Sequence, residues 1–319
     1  MMKKTEYRRC IMLAAVCVLA AGGFSACAGK SGNAPPVEER AVMEDGFPLA
    51  LADALGRNVI LAARPERIVS LSPALTEILF AIGAGDAVVG VTEYCDYPAE
   101  AKTKPVVGGF TGATIPVERV AAVRPDLVFI SADMHERLTG LLDRLGIVSF
   151  AIEPRTFNDV YAAIDVMGRI TGNIAGAEAL IAGMREKTGR AAALRGNRPR
   201  PRIFWELGYD PLMTVGGGTW INDAITMAGG DNIFGGIAGQ YPQVGLEQII
   251  LEAPAWILVA EYGEMGTSAD AIAARPGWAG IPAVREGNIG IVDADSLYRF
   301  GPRLADATLS IAEILFRRN

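Results

Sequence analysis

From Phe47 onward the apolar residues fall into two rhythms. One is the short unbroken run. "RIVSL", "AVVGV", "PDLVFIS" and "VSFAIE" are too short for helices and are rich in Val, Ile and Phe, which predicts buried strands. The other rhythm is the three-four spacing of a helix face. Behind Ser72 as N-cap and Pro73 at the first helical position, Leu75, Ile78, Leu79 and Ile82 make one inward stripe, which Gly83 and Gly85 end. "PVERVAAV" and "ERLTGLLDRLG" read as further helices, and "DALGRNVIL", with Gly56-Arg57 turning between two apolar runs, predicts a hairpin ahead of them. Single strands alternating with single helices imply a parallel sheet covered on both faces.

The same grammar returns after an interruption. From Thr156 to Arg195 the pattern is mostly helical: Thr156 with Asp159 forms a capping-box-like start, and Gly172-Asn173 breaks the run. "IAGAEALIAGMREKTGRAAAL" then resumes it, and about 20 residues at 1.5 Å each reach roughly 30 Å. Beyond it, strands in "RPRIFWELG", "AWILVAE" and "NIGIVDA" alternate with helices in "WINDAITMAGG", capped by Thr219 and closed by Gly229-Gly230, in "LEQIILEA" and in "RLADATLSIAEILFRR". The expected class is α/β, with two lobes, each a small mainly parallel sheet flanked by helices, joined by one long rigid helix. The expected boundaries are 47–172 for the N-terminal lobe, 173–196 for the connecting helix and 197–319 for the C-terminal lobe.

The first 46 residues belong to neither lobe. "MMKKTEYRRC" is basic, "IMLAAVCVLAAGG" is a short apolar run, and "FSAC" ends at Cys27. The apolar run is too short for an ordinary helix across roughly 30 Å of hydrocarbon. Residues 1–27 resemble a bacterial lipoprotein signal, in which Cys27 takes the lipid and becomes the new N-terminus. Residues 28–46, opening with "AGKSGNAPPVEER", read as a flexible tether.

Charge and composition narrow the partners. Half of the 319 residues are hydrophobic and 21% are charged, with a net charge of -6. The leader holds Lys3, Lys4, Arg8 and Arg9 against Glu6, so the rest of the chain is more acidic still. Nucleic acid is therefore excluded as a partner, because phosphate contacts need clustered Lys and Arg. Past Cys27 only Cys95 remains, so no internal disulfide is expected, and a lone thiol reads as a small buried hydrophobe.

Candidate chemistry begins where one strand ends. "GVTEYCDYPAEAK" follows a buried run yet offers Tyr94, Asp96, Tyr97 and Pro98 in place of a plain polar turn. Either the tyrosines pack locally under Pro98 or they line something the chain holds. Phe110, in the glycine-flanked "VGGFTGAT", and Tyr241, in "GQYPQ", stand in loops that would not bury a core ring easily. Trp205 and Trp220 fall within strand and helix patterns and read as core, though Trp205 ends a strand.

These stretches, in order along nearly the whole chain, resemble the periplasmic solute-binding proteins for cobalamin and iron-siderophores that serve ABC importers. The matching segments are "RPERIVSLSPALTEILFAIGAGDAVVGVTEYCDYP", "VGGF", "VERVAAVRPDLVF", "GTWINDAITMAGGDNIF", "PQVGLEQIILEAPAWILV" and "IPAVREGNIGIVD". The resemblance implies a ligand cleft between the lobes. Tyr94 and Phe110 would face it from the first lobe, and Tyr241, Asp295 and Arg299 from the second, while Asp96, Tyr97 and Pro98 shape the turn. Arg299 also fits a solvated surface arginine. The ligand implied first is cobalamin or a related corrinoid, with haem or a ferric siderophore as the alternative, and no resident cofactor is expected. Glu118 and Glu247, each opening a helix, would dock onto the permease of an importer driven by an ATPase. A monomer is expected, exported and held by its lipid on the outer face of the cytoplasmic membrane.

Two rival readings have little to stand on. His135 is the one histidine, so imidazoles cannot gather round a metal, and beside Glu136 and Arg137 it reads as a surface residue. "TVGGGTW" is glycine-rich ahead of a helix and could cradle a phosphate, but it lacks the Lys-Ser/Thr of a P-loop. An exported enzyme or an adhesive lipoprotein are the alternatives to a binding protein.

Overall fold

In the computed structural model, which describes residues 46–261 and 268–316, the apolar runs become two parallel sheets with helices between and around them. The leader, Cys27 and tether residues 28–45 lie outside the described residues, as do 262–267 and 317–319 of the second lobe.

The first lobe opens with the antiparallel hairpin β1 (Leu49–Ala52) and β2 (Asn58–Leu61). It continues through β3 (Ile68–Ser70), α1 (Pro73–Ala81), β4 (Val88–Thr92), β5 (Val106–Gly108), α2 (Val117–Ala122), β6 (Leu127–Ser131), α3 (Ala132–Arg144), β7 (Val148–Ile152) and α4 (Phe157–Thr171). The five strands β3 to β7 pair in parallel in the order β5-β4-β3-β6-β7. Alternation along the strands divides the core, as a period of two requires. Ile68 and Phe129 enter one apolar cluster, while Val69, Val128 and Ile130 enter another on the opposite face.

Helix α5 (Ile174–Arg195), 22 residues long and so about 33 Å, follows α4. The break between them is as read: Gly172 takes φ 70°, a left-handed conformation that a side chain would strain. Thr156 and Asp159 form a full capping box on α4. The buried positions of α5, Ala177, Met184, Thr188 and Ala191, make one seam. The apolar cluster that takes in Ile68 and Phe129 runs on through Met184 of α5 to Trp205 and Ile311, so a single core joins the two lobes.

The second lobe is β8 (Arg202–Glu206), the ribbon β9 (Gly208–Tyr209) and β10 (Leu212–Met213), α6 (Trp220–Met227), β11 (Asp231–Asn232), α7 (Leu246–Glu252), β12 (Trp256–Glu261), α8 (Ala269–Ala273), α9 (Pro282–Arg285), β13 (Ile289–Asp293), α10 (Ala294–Tyr298) and α11 (Leu304–Phe316). Its sheet is parallel, in the order β11-β8-β12-β13. No described helix is long and apolar enough to cross a membrane.

Three local readings need correction. The first hairpin turns around Asp53, whose carboxylate accepts the N–H groups of Leu55 and Arg57, and not at Gly56-Arg57 alone. Ser72 stands at the N-cap of α1 but its side chain makes no cap bond; its carbonyl accepts from Thr76 instead. Helix α3 starts at Ala132, four residues before the predicted "ERLTGLLDRLG", and that extra turn draws His135 inside. Only 1% of His135 is exposed, so it is not a surface residue.

Candidate functional site

Strand order places the site. In the first sheet the chain enters at β3, winds outward to β4 and β5, and returns to the other side at β6. The carboxyl ends of β3 and β6 therefore diverge, and such a switch point leaves a crevice where a parallel sheet can admit a ligand. An apolar-walled cleft of about 790 Å³ opens there. Leu71, Ser72 and Pro73 follow β3 along its floor, Ser131 ends β6 and Met134 follows it, and the opposite wall comes from α6, α10 and the 240–241 loop of the second lobe.

Aromatic rings face each other across it. Tyr94 and Phe110, about half exposed at 49% and 46%, meet edge to face with centroids 5.5 Å apart. Tyr94 therefore does not pack away under Pro98. From the second lobe come Tyr241, Trp220 and Phe300, the last two edge to face at 5.8 Å. The Trp220 Nε1–H donates to the Leu297 carbonyl at 2.8 Å and so pins α6 to α10. Trp220, expected in the core, packs against it and also forms a cleft wall; Trp205 is core as expected, fully buried.

Charges cross the seam between lobes. Arg299 donates to Asp96 and, at 3.4 Å, to Glu77, both of the first lobe, and pairs with Asp295 one helical turn back at 2.7 Å. Its bond to Asp96 holds that carboxyl below the usual range. Arg303 grips Glu77 at two points, at 2.9 and 2.6 Å, and lies 4.3 Å over the Tyr97 ring. Glu77 is 2% exposed, and burial pushes its carboxyl upward against the pull of both arginines. At the other end of the cleft Arg155 pairs with Asp133 at 3.1 Å and reaches the Gln240 amide oxygen of the second lobe at 3.4 Å. The described lining holds four carboxylates, Asp96, Asp133, Glu153 and Asp295, against two guanidinium groups, Arg155 and Arg299.

Polar groups fix the floor. Ser131 Oγ donates to Glu153 at 2.6 Å, and the Asp133 N–H reaches the same carboxylate oxygen at 3.2 Å, so Glu153 caps the start of α3. His135 Nδ1 accepts the Ser131 N–H at 3.2 Å and Nε2 donates to the Phe110 carbonyl at 3.0 Å. Burial holds its pKa below the ordinary 6.5. Burial likewise raises the Tyr241 phenol, which keeps it neutral. Cys95 is buried, bonded to Thr76 and Thr92 at 3.2 Å, and burial raises its thiol too.

The five residues expected at the cleft, Tyr94, Phe110, Tyr241, Asp295 and Arg299, all line it. Glu118 and Glu247 do not; they stand exposed in the first turns of α2 and α7. Sequence reading missed Trp220, Phe300, Glu153 and Arg155 on the walls and Glu77 and Arg303 beneath. Glu77 left one signal: an acid amid the buried stripe of α1 with no base a turn away. The glycines of "TVGGGTW" serve packing, since a Cβ at Gly216 or Gly217 would fall within 2.1 and 2.4 Å of the Gly239 and Gly235 carbonyls. Among the described residues no group of three or more His, Cys, Asp or Glu is placed to hold a metal.

The model of the Periplasmic binding protein family matches residues 68–296. The chain is 31% identical to the "Cobalamin-binding protein" of Halobacterium salinarum over 314 residues, covering 93% of this chain and 82% of that protein. Among solved structures it is similar to the periplasmic vitamin B12 binding protein BtuF of Vibrio cholerae, with a TM-score of 0.65 and 28% identity over 79% of this chain and 97% of that one. It is similar as well to the periplasmic haem-binding protein RhuT of Roseiflexus sp. RS-1, with a TM-score of 0.68 and 26% identity over 79% and 98%.

Proposed function

Because this chain belongs to the periplasmic binding protein family, we propose that it is the capture subunit of an ABC importer and that its cleft takes cobalamin or a related corrinoid. The observation that carries the choice of ligand is the wall chemistry. Rings from both lobes offer flat apolar area, while carboxylates outnumber guanidinium groups four to two and both guanidiniums are already ion-paired. Apolar burial contributes about 25 cal/mol per Å² wherever a large ring covers these faces. A corrinoid has such a ring, a cationic metal and a rim of neutral amides, which suit ring faces and carboxylate acceptors. Haem presents two carboxylates and many ferric siderophores are anionic; either would have to break an existing pair to find a cation.

One observation favours haem as the second reading. Tyr94 stands exposed at the cleft edge, where a phenol can ligate iron. Burial moves the Tyr241 phenol of the same cleft away from tyrosinate.

The rest of the reading follows from this role. The protein performs no catalysis and works as a monomer. Glu118 and Glu247, one per lobe, meet the permease, whose ATPase drives transport, and Cys27 carries the lipid that keeps the protein at the outer face of the cytoplasmic membrane. Absorption spectra of the purified protein mixed with haem and with cyanocobalamin, each then challenged by the other, test the ligand. Cobalamin should stay bound after gel filtration in the presence of excess haem; its displacement by haem would move the assignment to haem.

A further inference from the structure

We propose that His135 is a positioning residue of the ligand site, setting the Phe110 ring through the Phe110 backbone. This rests on the reading of the cleft as the ligand site. The segment 110–113 between β5 and α2 has little else to hold it. Thr111 and Thr114 bond one another, which shapes the loop without attaching it to anything. Two hydrogen bonds tie it to the scaffold, both on α3: Gly112 N–H to the Met134 carbonyl at 3.0 Å, and His135 Nε2–H to the Phe110 carbonyl at 3.0 Å. The Phe110 ring is 46% exposed and its ring partner is Tyr94, itself half exposed, so side-chain packing does not fix where it stands. The backbone does.

The imidazole is suited to this task. It is buried and both its nitrogens are engaged, Nδ1 as acceptor for Ser131 N–H and Nε2 as donor to Phe110. That defines one neutral tautomer, with no nitrogen left for a metal or a proton. Ser131 ends β6 and begins α3, so His135 links the switch point of the sheet directly to the aromatic wall. The competing role is structural: the Ser131 bond alone would make His135 a cap for α3.

The two bonds can be separated by substitution. Glutamine places its amide N–H where Nε2 stands, and asparagine places its carbonyl oxygen where Nδ1 stands. The full protein and its His135→Gln, His135→Asn and His135→Ala variants would be compared by amide hydrogen exchange over residues 109–114 and by titration with cyanocobalamin. His135→Ala should speed exchange in that segment about tenfold and weaken cyanocobalamin about fivefold, with α4 and β12 unchanged as internal references. His135→Gln should stay within about twofold of wild type in both readouts, while His135→Asn follows His135→Ala. The proposal is overturned if Asn protects the segment as well as Gln does, or if Ala leaves it as slow to exchange as wild type. Exchange reads the segment without ligand. Should wild type take up no cyanocobalamin, the ligand reading fails while exchange still decides the role of His135.

Discussion

Arg303 of the second lobe holds Glu77 of the first at two points, Nε to Oε2 at 2.9 Å and Nη2 to Oε1 at 2.6 Å. Arg299 reaches the same carboxylate at 3.4 Å. Three charges from two lobes thus share a site in which Glu77 is almost fully buried. Taking a carboxylate out of water is costly and its partners only offset that cost, so the pair is poor evidence of extra stability. Removing one member is a different matter, because the remaining charges stay in place uncompensated.

Glu77→Gln should therefore destabilise the protein by about 2–4 kcal/mol in urea unfolding at neutral pH. A change under about 0.5 kcal/mol, the range of an ordinary surface substitution, would contradict the assigned burial and pairing.

Ligand binding should change the angle between the lobes very little. Helix α5 and the continuous core run through both lobes, and the Glu77, Arg299 and Asp96 contacts already bridge them. Bending a helix stretches its own hydrogen bonds. Small-angle scattering should give the same radius of gyration with and without ligand; a decrease of several ångströms would contradict this.

Stability should fall on mild acidification through His135. Its folded-state pKa lies below the ordinary 6.5, so the unfolded chain takes up a proton first. The contribution is complete above about pH 6.5 and is lost as pH falls below it toward the folded value, by up to about 1.4 kcal/mol per pH unit. Nearby charges are Asp133, Glu136 and Arg137 on its own helix and Glu153 beyond β7. All remain in His135→Gln. Unfolding of both proteins at pH 7.5 and 5.5 should show the larger loss in wild type; equal losses would refute the effect.

Much of this was legible in the sequence. The inward stripe of α1, the Thr156–Asp159 box and the runs that became β6, β7 and β12 are local patterns, and local patterns survive folding. The pairing of Glu77 with Arg303 is separated by 226 positions, and no periodicity reports it. Trp220 has helical spacing whether its helix faces core or cleft, and only the docking of α6 against α10 decides which. The burial of His135 is not legible in the sequence, because its polar neighbours Glu136 and Arg137 are exposed while it is buried, a difference one residue wide.

Transport and binding should separate at Glu118 and Glu247. Both carboxylates are exposed in first helical turns, outside the cleft lining, where the helix dipole also favours them. The Glu118→Ala, Glu247→Ala double variant should keep wild-type ligand affinity and lose uptake in a reconstituted importer. Unimpaired uptake would remove the docking role.

The ligand is the central claim, and calorimetric titration tests it most directly. Cyanocobalamin should bind one to one with a dissociation constant well below about 1 μM, and Phe110→Ala and Tyr241→Ala should each weaken it by about tenfold or more, near 1.4 kcal/mol. Haem titrated under the same conditions should bind far more weakly. Submicromolar haem binding with no heat from cyanocobalamin would contradict the corrinoid assignment.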